Sequence, residues 1–543
     1  MSAPKLLLIT SKCPTEEISD SVAVPLGLHL LRHHLKKNGV GCDVFDHQIH
    51  SEQLCISSVE QGVYDIIGIS VTHWRMESDL NFLSKLRGAA QNAGRNCLFI
   101  AGGFSATLNF RQWLECGFDL VCLGYAEETL LKVCERFAQK KSVHTWESFR
   151  DLDGVAFLDE RRRLVFNRAL PLSKSAFERH LFDQIMEMDL PYNEYWDFMR
   201  QRATEILTMN RRSYVIENAR LFTIDRCLAN CGFCCSPSFL RTAQQSNAPL
   251  IALSASQVHQ LIVHHVQKYG ARAFSINDDD FLVGNKIGID RAIEICKLIS
   301  ASKRKGEIPE ETKFSCQTRV VDFLKFDSNR KKLVNHQLLE ALAKAKFHNV
   351  SLGVETFSDR LLKCLSMNKV GLTSNDYHMV LHALMDHGLY TTINLILGIP
   401  ESTVEELIET IQQTLEYVEK PCQLSVANRM QSFPGSPIFG LKDYPTTGSI
   451  WTNPITNQTT YIPVYYTPHN ERMAAIISQL NEAARVELEN FKADNNLGDS
   501  MLIPRTAIAL CTFMAVARLL GESDLLLRIS NKLQQLTISL GAE

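Results

Sequence analysis

Three cysteines within eight residues are the feature that most constrains how this chain folds. Cys227, Cys231 and Cys234 follow the spacing Cys-x-x-x-Cys-x-x-Cys. Thiolates are soft ligands that suit iron–sulfur clusters or zinc. Zinc sites commonly need a second ligand pair, and the cysteines outside this stretch occur singly. The spacing therefore predicts a four-iron cluster held by three thiolates, with one iron open to a chelating ligand. Cys235 follows at once and is predicted to pack beside the cluster without binding it.

Length and charge narrow the class of protein. The chain has 543 residues, enough for about three or four domains. Its net charge of -3 gives no electrostatic reason to expect nucleic acid as a partner. No apolar run approaches the roughly twenty residues that span a bilayer, and no signal peptide is visible. Sixteen cysteines in a long, enzyme-like chain favour reduced thiols. We expect a cytoplasmic protein without a membrane span.

Apolar runs alternate with helical patterns over residues 1–145. The runs at 5–10, 42–46, 64–71, 97–101 and 120–123 have the length of buried parallel strands. Strands that alternate with helices predict an α/β fold with a doubly wound parallel sheet. Ligands bind beyond the carboxyl ends of such strands, where glycines allow close approach to the backbone. The residues expected at those ends are Gly68, Ser70, Gly102, Gly103 and Gly124.

The rest of the chain divides into three parts. Residues 146–215 are predicted to form a connector. Its aromatic stretch at 189–196 is expected to be irregular. We expect this stretch either to cover the substrate pocket or to pack between domains. The strand–helix rhythm then repeats six times over residues 216–435, which predicts a partial (β/α)6 barrel with the cysteine loop after its first strand, at 221–225. Residues 436–543 are predicted to be mostly helical, with loops at 438–470 and helices at 471–491 and 506–540.

The cysteine stretch resembles the cluster loop of the radical S-adenosylmethionine (SAM) enzymes. In that family a [4Fe-4S] cluster binds the amino and carboxylate groups of SAM at its open iron. Other barrel strands also end in segments similar to those of the family. The resemblance implies that Asn277, Asp278 and Asp279 bind the SAM amino group, and that Glu355 of Gly353-Val354-Glu355 binds the ribose. It also implies that the segment containing Gly398 packs on adenine.

Arg319, at the end of the third barrel strand, has two interpretations. The guanidinium is suited to neutralise the SAM carboxylate. A surface salt bridge is the other interpretation, and the sequence does not choose between them.

The segments "YDIIGIS", "AGGFSAT" and "GYAEET" resemble the cobalamin-binding domain that precedes the barrel in one branch of the radical SAM enzymes. The resemblance implies that the five strand-end residues named above approach cobalamin. Asp46–Ser51 lacks the Asp-x-His-x-x-Gly motif that supplies a cobalt ligand in other cobalamin proteins. His47 and His50 are therefore predicted to be loop residues, with no protein histidine on cobalt. A Rossmann-like scaffold without cofactor is the alternative.

What the resemblance implies about activity is reductive cleavage of SAM, with electrons from a donor such as flavodoxin or ferredoxin. With cobalamin present, the family's most frequent reaction is methyl transfer to an unactivated carbon of a small molecule. Three alternatives remain open. One is a radical rearrangement or cyclisation without net methylation. Another is methylthiotransfer, which needs a second cluster from first-domain cysteines such as Cys13, Cys42, Cys55 and Cys97. The third is a non-enzymatic cobalamin or iron–sulfur sensor.

Overall fold

The computed structural model describes residues 4–11, 22–140, 146–206, 215–247, 249–454, 457–497 and 503–541. Two sheets of mainly parallel strands, each flanked by helices, organise these ranges. Both α/β units that the sequence predicts are therefore present. Within these ranges, no helix combines the length and the apolar character needed to cross a membrane.

The first sheet has seven strands: β1 Lys5–Ile9, β2 Gly41–Phe45, β3 Ile66–Ser70, β4 Leu98–Gly102, β5 Leu120–Cys122, β6 Val155–Leu158 and β7 Leu164–Asn167. Their order is β2-β1-β3-β4-β5-β6-β7. The first five run parallel, and β6 and β7 are antiparallel additions at one edge. The direction of winding reverses between β1 and β3, which is where ligands bind in sheets of this type.

Helices cover both faces of this sheet: α1 Leu26–Lys37, α2 Glu52–Glu60, α3 Met76–Asn92, α4 Phe104–Leu108, α5 Phe110–Glu115 and α6 Glu127–Lys140. Alternate strand residues belong to two apolar cores, one on each face. In β1, Leu7 and Ile9 pack into one core, and Leu6 and Leu8 into the other. Because both faces are buried, each strand forms a continuous apolar run, which makes it visible in the sequence.

The connector is helical where the sequence predicts an irregular aromatic stretch. Its helices are α7 Lys174–Glu178, α8 Gln184–Glu187 and α9 Tyr192–Ile206, with a π-helical turn at Arg179–Asp183. Tyr195 donates to Asp46 Oδ2 of the first unit at 2.7 Å, and Trp196 Nε1 donates to the Asn218 carbonyl of the second at 3.4 Å. The prediction of irregular structure is wrong. The aromatic residues Tyr192, Tyr195 and Trp196 lie on a helix, which buries their side chains. The alternative of packing between domains is confirmed.

The second sheet is the partial barrel. Its six strands are β8 Asn218–Leu221, β9 Ala273–Ile276, β10 Lys313–Arg319, β13 Phe347–Glu355, β14 Thr391–Ile396 and β15 Cys422–Ala427, and a short hairpin, β11 Leu324–Phe326 and β12 Lys332–Val334, lies between β10 and β13 in the chain. The six strands run parallel in the order β15-β14-β13-β10-β9-β8. The first strand lies earlier than the predicted 221–225. The reason is that Thr223 and Ile224 donate their backbone N–H groups to the side chain of Asp278 instead of a neighbouring strand.

Helices surround the barrel: α10 Ser238–Gln244, α11 Ala255–Tyr269, α12 Lys286–Arg304, α13 His336–Lys344, α14 Ser374–Asp386 and α15 Val404–Thr414. A capping box precedes α15. Thr403 Oγ1 accepts from the Glu406 N–H at 3.3 Å, and the Glu406 carboxylate accepts from the Thr403 N–H at 3.0 Å.

The C-terminal region contains a hairpin that the sequence analysis missed. Strands β16 Thr446–Thr452 and β17 Thr459–Tyr466 pair antiparallel where loops are predicted. Threonine and tyrosine, which favour strands, are frequent in these two segments, and their frequency is the sequence signal that indicates the hairpin. Helix α16 Glu471–Asp494 is as expected, whereas the predicted second helix is two, α17 Arg505–Leu520 and α18 Ser523–Gly541, separated at Gly521 with φ 74°.

The hairpin ties the end of the barrel to the first unit. Trp451 and Ile462 are buried in a core of the first sheet. Trp451 Nε1 donates to Asn81 Oδ1 at 2.9 Å, and His73 Nε2 lies 2.8 Å from the Pro463 carbonyl. The two α/β units are thus joined by a segment that follows both of them in the chain.

Candidate cofactor-binding site

A cavity of about 430 Å³ lies at the carboxyl ends of the first sheet. It occupies the point where the order of strands reverses, between the ends of β1 and β3. The barrel closes one side through Arg220, Phe222 and Phe239. All five residues predicted for this end of the sheet contribute to its wall, namely Gly68, Ser70, Gly102, Gly103 and Gly124.

The glycines of this wall serve different purposes. Gly103 has φ 92°, and a Cβ there would lie 3.1 Å from Ser70 Oγ. Gly124 has φ 68°, and its N–H donates to Thr107 Oγ1 at 3.0 Å. A Cβ at Gly68 would lie 2.9 Å from Leu8 Cδ2, so this glycine permits packing within the sheet. A Cβ at Gly102 would meet no atom within 4 Å, so this glycine leaves the cavity open.

The cavity is mainly apolar, and its most buried charges form a pair. His180 Nε2 lies 2.9 Å from Glu127 Oε1, and both side chains line the wall. Burial favours a raised pKa for Glu127, but the charge and hydrogen bond of His180 outweigh it and lower the pKa. The wall therefore combines aliphatic and aromatic side chains with the His180–Glu127 pair and the guanidinium of Arg220.

The two histidines of the first unit that the sequence analysis weighed as cobalt ligands do not line this cavity. His50 Nδ1 accepts from the Asp46 N–H at 3.2 Å, and His50 Nε2 lies 3.2 Å from Glu194 Oε1. The His47 ring packs against Phe45 and Phe82. The loop between them contributes Gln48 to the wall instead.

The cluster loop follows β8 at the carboxyl end of the barrel. Cys227 Sγ accepts from the Ala229 N–H at 3.2 Å, and the Cys234 N–H donates to the Cys231 carbonyl at 3.1 Å. A Cβ at Gly232 would lie 1.9 Å from the Leu365 carbonyl oxygen. Only glycine therefore fits at this position, and the loop is held against the segment that follows β13.

Burial keeps the free thiols protonated. It raises the pKa of Cys227 and Cys234 to about 12, and it also raises that of Cys231. Among the charges around Cys231, Lys369 opposes this shift most strongly. Metal ligation requires the thiolate, so loss of the thiol protons would accompany iron binding.

The three thiols fit a cluster because all are free of disulfides and they lie within electrostatic reach of one another. Among the described residues, no three cysteine, histidine or acidic side chains are gathered around a single-ion site. A four-iron cluster gives each thiolate its own iron, which agrees with thiols that do not converge on one point.

Asp278 and Asp279, after β9, are bound to the chain itself. Asp278 is buried and accepts from the Thr223 N–H at 2.6 Å and the Ile224 N–H at 3.1 Å. Burial raises its pKa to about 6. Asp279 accepts a hydrogen bond from Ser236 Oγ, just beyond the cluster loop. The N–H of Asn277 donates to the Leu221 carbonyl at 2.8 Å. These residues thus hold both ends of the cluster loop.

Arg319, at the end of β10, is half-buried in a network with two carboxylates. Its Nε donates to Asp280 Oδ2 at 2.9 Å, and its Nη2 donates to Asp322 Oδ1 at 2.9 Å. Both carboxylates are buried, so the interpretation as a surface salt bridge does not describe this residue. The positive charge of Arg319 lowers the pKa of Cys227, but this effect is smaller than the increase that burial causes.

Glu355 and Gly398 lie at the ends of β13 and β14. Glu355 adopts φ 60°, unusual for a residue with a side chain, and its carboxylate forms an ion pair with Lys369. A Cβ at Gly398 would lie 2.9 Å from the Asn428 carbonyl oxygen, so the backbone segments are in close contact there. Lys369 was missed by sequence reasoning, because nothing local marks one lysine of a loop as the buried partner of Glu355.

Among the candidate cysteines of the first domain that the structure describes, Cys42, Cys55 and Cys97 do not assemble a second site. Cys55 and Cys97 are buried in one core of the first sheet, and Cys42 is buried in the core of the opposite face. Burial raises the pKa of Cys42 and Cys55 to about 12. The sheet separates them, which argues against a cluster for methylthiotransfer. Cys13 lies outside the described residues.

Comparison with known proteins finds two family models that match consecutive parts of the chain. The model of the B12 binding domain matches residues 19–133, and that of the radical SAM superfamily matches residues 221–414. The uncharacterized methyltransferase PH0819 of Pyrococcus horikoshii is 23% identical over 426 residues, which are 76% of this chain and 78% of that protein.

Two solved enzymes share the whole architecture. The cobalamin-dependent SAM radical enzyme OxsB, with aqua-cobalamin bound, matches with a TM-score of 0.63 and 14% identity over 99% of this chain and 80% of its own. The radical SAM methyltransferase TsrM from Kitasatospora setae, with cobalamin and a [4Fe-4S] cluster, matches with a TM-score of 0.58 and 13% identity over 97% and 99%. These identities establish the fold alone.

The two consecutive domain matches show that the chain belongs to the cobalamin-dependent radical SAM enzymes. The cofactors of these two domains are cobalamin, a [4Fe-4S] cluster and SAM. The cavity at the first sheet has room for part of a cobalamin, and the three free thiols of the barrel fit the cluster.

Proposed function

We propose that this enzyme transfers a methyl group from SAM to an unactivated carbon of a small molecule. The observation that carries the proposal is the shared wall of the two sites. Phe222, which lines the cavity of the first sheet, directly follows β8, and the cluster loop begins five residues later at Cys227. A substrate between the two sites would face both a methyl donor and a radical source.

The names of the relatives support this reaction. PH0819 and TsrM are both described as methyltransferases, and one structure of TsrM contains a tryptophan substrate. The reaction needs one electron for each SAM that is cleaved, and we propose a flavodoxin or ferredoxin as its source. The bound cofactors supply a methyl group and a radical precursor.

The chain's own residues hold and shield these groups. We assign Cys227, Cys231 and Cys234 to the cluster, and Glu355 to the ribose of SAM. The first-sheet cavity, with Gly102 on its open side, would hold cobalamin through shape and backbone contacts. The hairpin β16–β17 fixes the first unit against the barrel, which keeps the distance between the two cofactors constant.

The interior of the barrel favours a small polar substrate. Along most of these strands, every second residue is buried, and the residues between are polar and partly accessible; Thr392 and Ile396 of β14 are exceptions. Neutral hydrogen-bonding side chains predominate among them: Asn218, Ser275, Ser315, Gln317, Ser351, Asn394 and Ser425. Fully closed parallel barrels are usually filled by branched apolar residues. The polar lining of this partial barrel instead suits a ligand or water.

Aromatic side chains of the two units are in contact with one another. The rings of Trp74 and Phe433 lie 5.9 Å apart, and those of Phe104 and Phe239 stack at 4.8 Å. Trp74 is 52% exposed although it borders this interface. These four rings come from both units, so a substrate that enters here would pass between them.

The decisive experiment follows both products of SAM. The holoenzyme, a reductant and methyl-labelled SAM are incubated with a small-molecule extract of the cells that make the protein. We expect S-adenosylhomocysteine and 5′-deoxyadenosine in equal amounts, with label in a new product. Cys231→Ala should produce neither the deoxyadenosine nor the labelled product. Substrate-dependent deoxyadenosine without S-adenosylhomocysteine or label would contradict methyl transfer and support a radical rearrangement.

A further inference from the structure

Lys369 is a buried cation next to the cluster loop that no strand-end motif includes. It belongs to the segment between β13 and α14, and its side chain is only 9% exposed. Its Nζ donates to the Gly353 carbonyl at 2.7 Å and forms an ion pair with Glu355 Oε2. A lysine is rarely buried without a structural or functional reason.

The segment that carries Lys369 is fixed to the cluster loop at three points. The Phe233 N–H donates to the Ser366 carbonyl at 2.9 Å, and Asn368 Nδ2 donates to the Asn230 carbonyl at 2.7 Å. The third point is Gly232, where a Cβ would overlap the Leu365 carbonyl. The ammonium therefore keeps a constant position relative to Cys231, which lies between two of these contact points in the sequence.

The charge of Lys369 reaches Cys231. Lys369 lowers the pKa of this thiol more than the Glu355 carboxylate raises it, although burial raises the pKa overall. The Tyr377 hydroxyl is fully buried in the same region. Within the described residues it has no partner at hydrogen-bond geometry, although Lys369 lies close enough to lower its pKa against burial.

We propose that Lys369 is a positioning residue that raises the reduction potential of the cluster by holding a positive charge beside Cys231. Reduction adds one negative charge to the cluster, and a cation in a poorly solvated site stabilises that charge. The inference rests on the proposed function, because it requires the cluster to be bound by Cys227, Cys231 and Cys234. Glu355 opposes the effect in part and also fixes the orientation of the ammonium.

The test is a redox titration of the reconstituted holoenzyme, followed by the electron paramagnetic resonance signal of the reduced cluster. Lys369→Met removes the cation and leaves the Glu355 carboxylate beside the cluster. We expect the one-electron reduction equilibrium to become at least about tenfold less favourable, equivalent to about 59 mV. Lys369→Arg should keep most of the wild-type potential.

Lys363→Met is the matched control, because it removes a lysine from an exposed position of the same segment and should leave the potential unchanged. Glu355→Gln removes the opposing charge and should shift the potential upward. The double variant Lys369→Met with Glu355→Gln should return close to the wild-type value. If Lys369→Met fails to assemble a cluster, the upward shift in Glu355→Gln decides the question.

An intact cluster whose potential is the same in Lys369→Met and the wild type would overturn the proposal. If Lys369→Met carries no cluster, an unchanged cluster potential in Glu355→Gln would also overturn the proposal. These results do not depend on methyl transfer. A wild-type protein without a cluster would instead contradict the ligand assignment, and a shifted potential without product labelling would contradict only the methyl transfer.

Discussion

The two cofactor-binding ends of this molecule use different physical means. The cavity of the first sheet is lined mainly by glycines and apolar side chains, with the His180–Glu127 pair and Arg220 as its charged groups. The carboxyl end of the barrel is a network of buried charges around Arg319 and Lys369. We therefore expect the first end to recognise its ligand by shape and backbone access, and the second to provide an electrostatic environment. Substitutions at the two ends should therefore fail in different ways.

The largest expected effect is loss of the cluster without loss of cobalamin. Cys227→Ala, Cys231→Ala and Cys234→Ala each remove one of three thiolate ligands and should abolish the wild type's content of about four irons per chain. Cobalamin binding should persist, because the first cavity uses none of these side chains. Iron analysis and the visible absorption of bound cobalamin measure both outcomes.

Cys235→Ala is the matched control for this series, since the residue is adjacent to the third ligand and should not be needed. If Cys235→Ala alone abolished the cluster, the ligand assignment would be wrong. Simultaneous loss of cobalamin in the other three variants would instead show that the two ends are not independent.

A smaller effect should appear as a pH dependence of stability that arises at the barrel end. Burial raises the pKa of Asp278 to about 6, above its unfolded value of about 3.9. The folded protein then binds more protons than the unfolded chain between these values, so stability falls as pH rises from about 4 to about 6. A shift of about two pH units corresponds to roughly 3 kcal/mol.

Asp278→Asn should remove this contribution. Urea unfolding at pH 4.2 and 6.2 should show that wild-type stability decreases more than that of the variant over this interval. Equal changes in the two proteins would mean that Asp278 is ionised at both pH values. Many carboxylates titrate in this range, so the informative quantity is the difference between the two proteins.

The same contrast explains how much of the molecule could be predicted from its sequence. The first sheet is visible because both faces of each strand are buried, and the strand-end glycines follow directly after these apolar runs. The spacing of the cluster cysteines is equally local. The position of Lys369 beside Glu355 and Cys231 is not local, because it depends on contacts among three segments that are distant in the chain. The hairpin β16–β17 was missed for a related reason, since its partner surface lies in the first unit.

Arg319 and Asp278 show the limit of motif transfer. Both follow barrel strands as the sequence predicts, yet each side chain is already bonded to neighbouring groups in this structure. A motif identifies which strand end faces the site, but the burial and pairing of each carboxylate or guanidinium depend on the surrounding packing. Their roles toward SAM remain predictions.

The smallest expected effect tests recognition by shape at the first sheet. Gly102 ends β4 at the cavity wall, and a Cβ there would meet no atom within 4 Å. Gly102→Leu should therefore be tolerated by the fold, while its side chain occupies part of the cavity of about 430 Å³. We expect cobalamin affinity to fall about tenfold, equivalent to about 1.4 kcal/mol, with the cluster content unchanged.

Gly88→Leu provides the matched control, because a Cβ at Gly88 also meets no atom within 4 Å and the residue lies in α3, away from the cavity wall. Equilibrium binding of cobalamin to the two variants separates loss of space from a general effect of the larger side chain. Since no ionic contact is altered, the loss in Gly102→Leu should also be independent of salt concentration. Unchanged affinity in Gly102→Leu would show that cobalamin does not contact this wall, and the contrast between a site of shape and a site of charge would then be wrong.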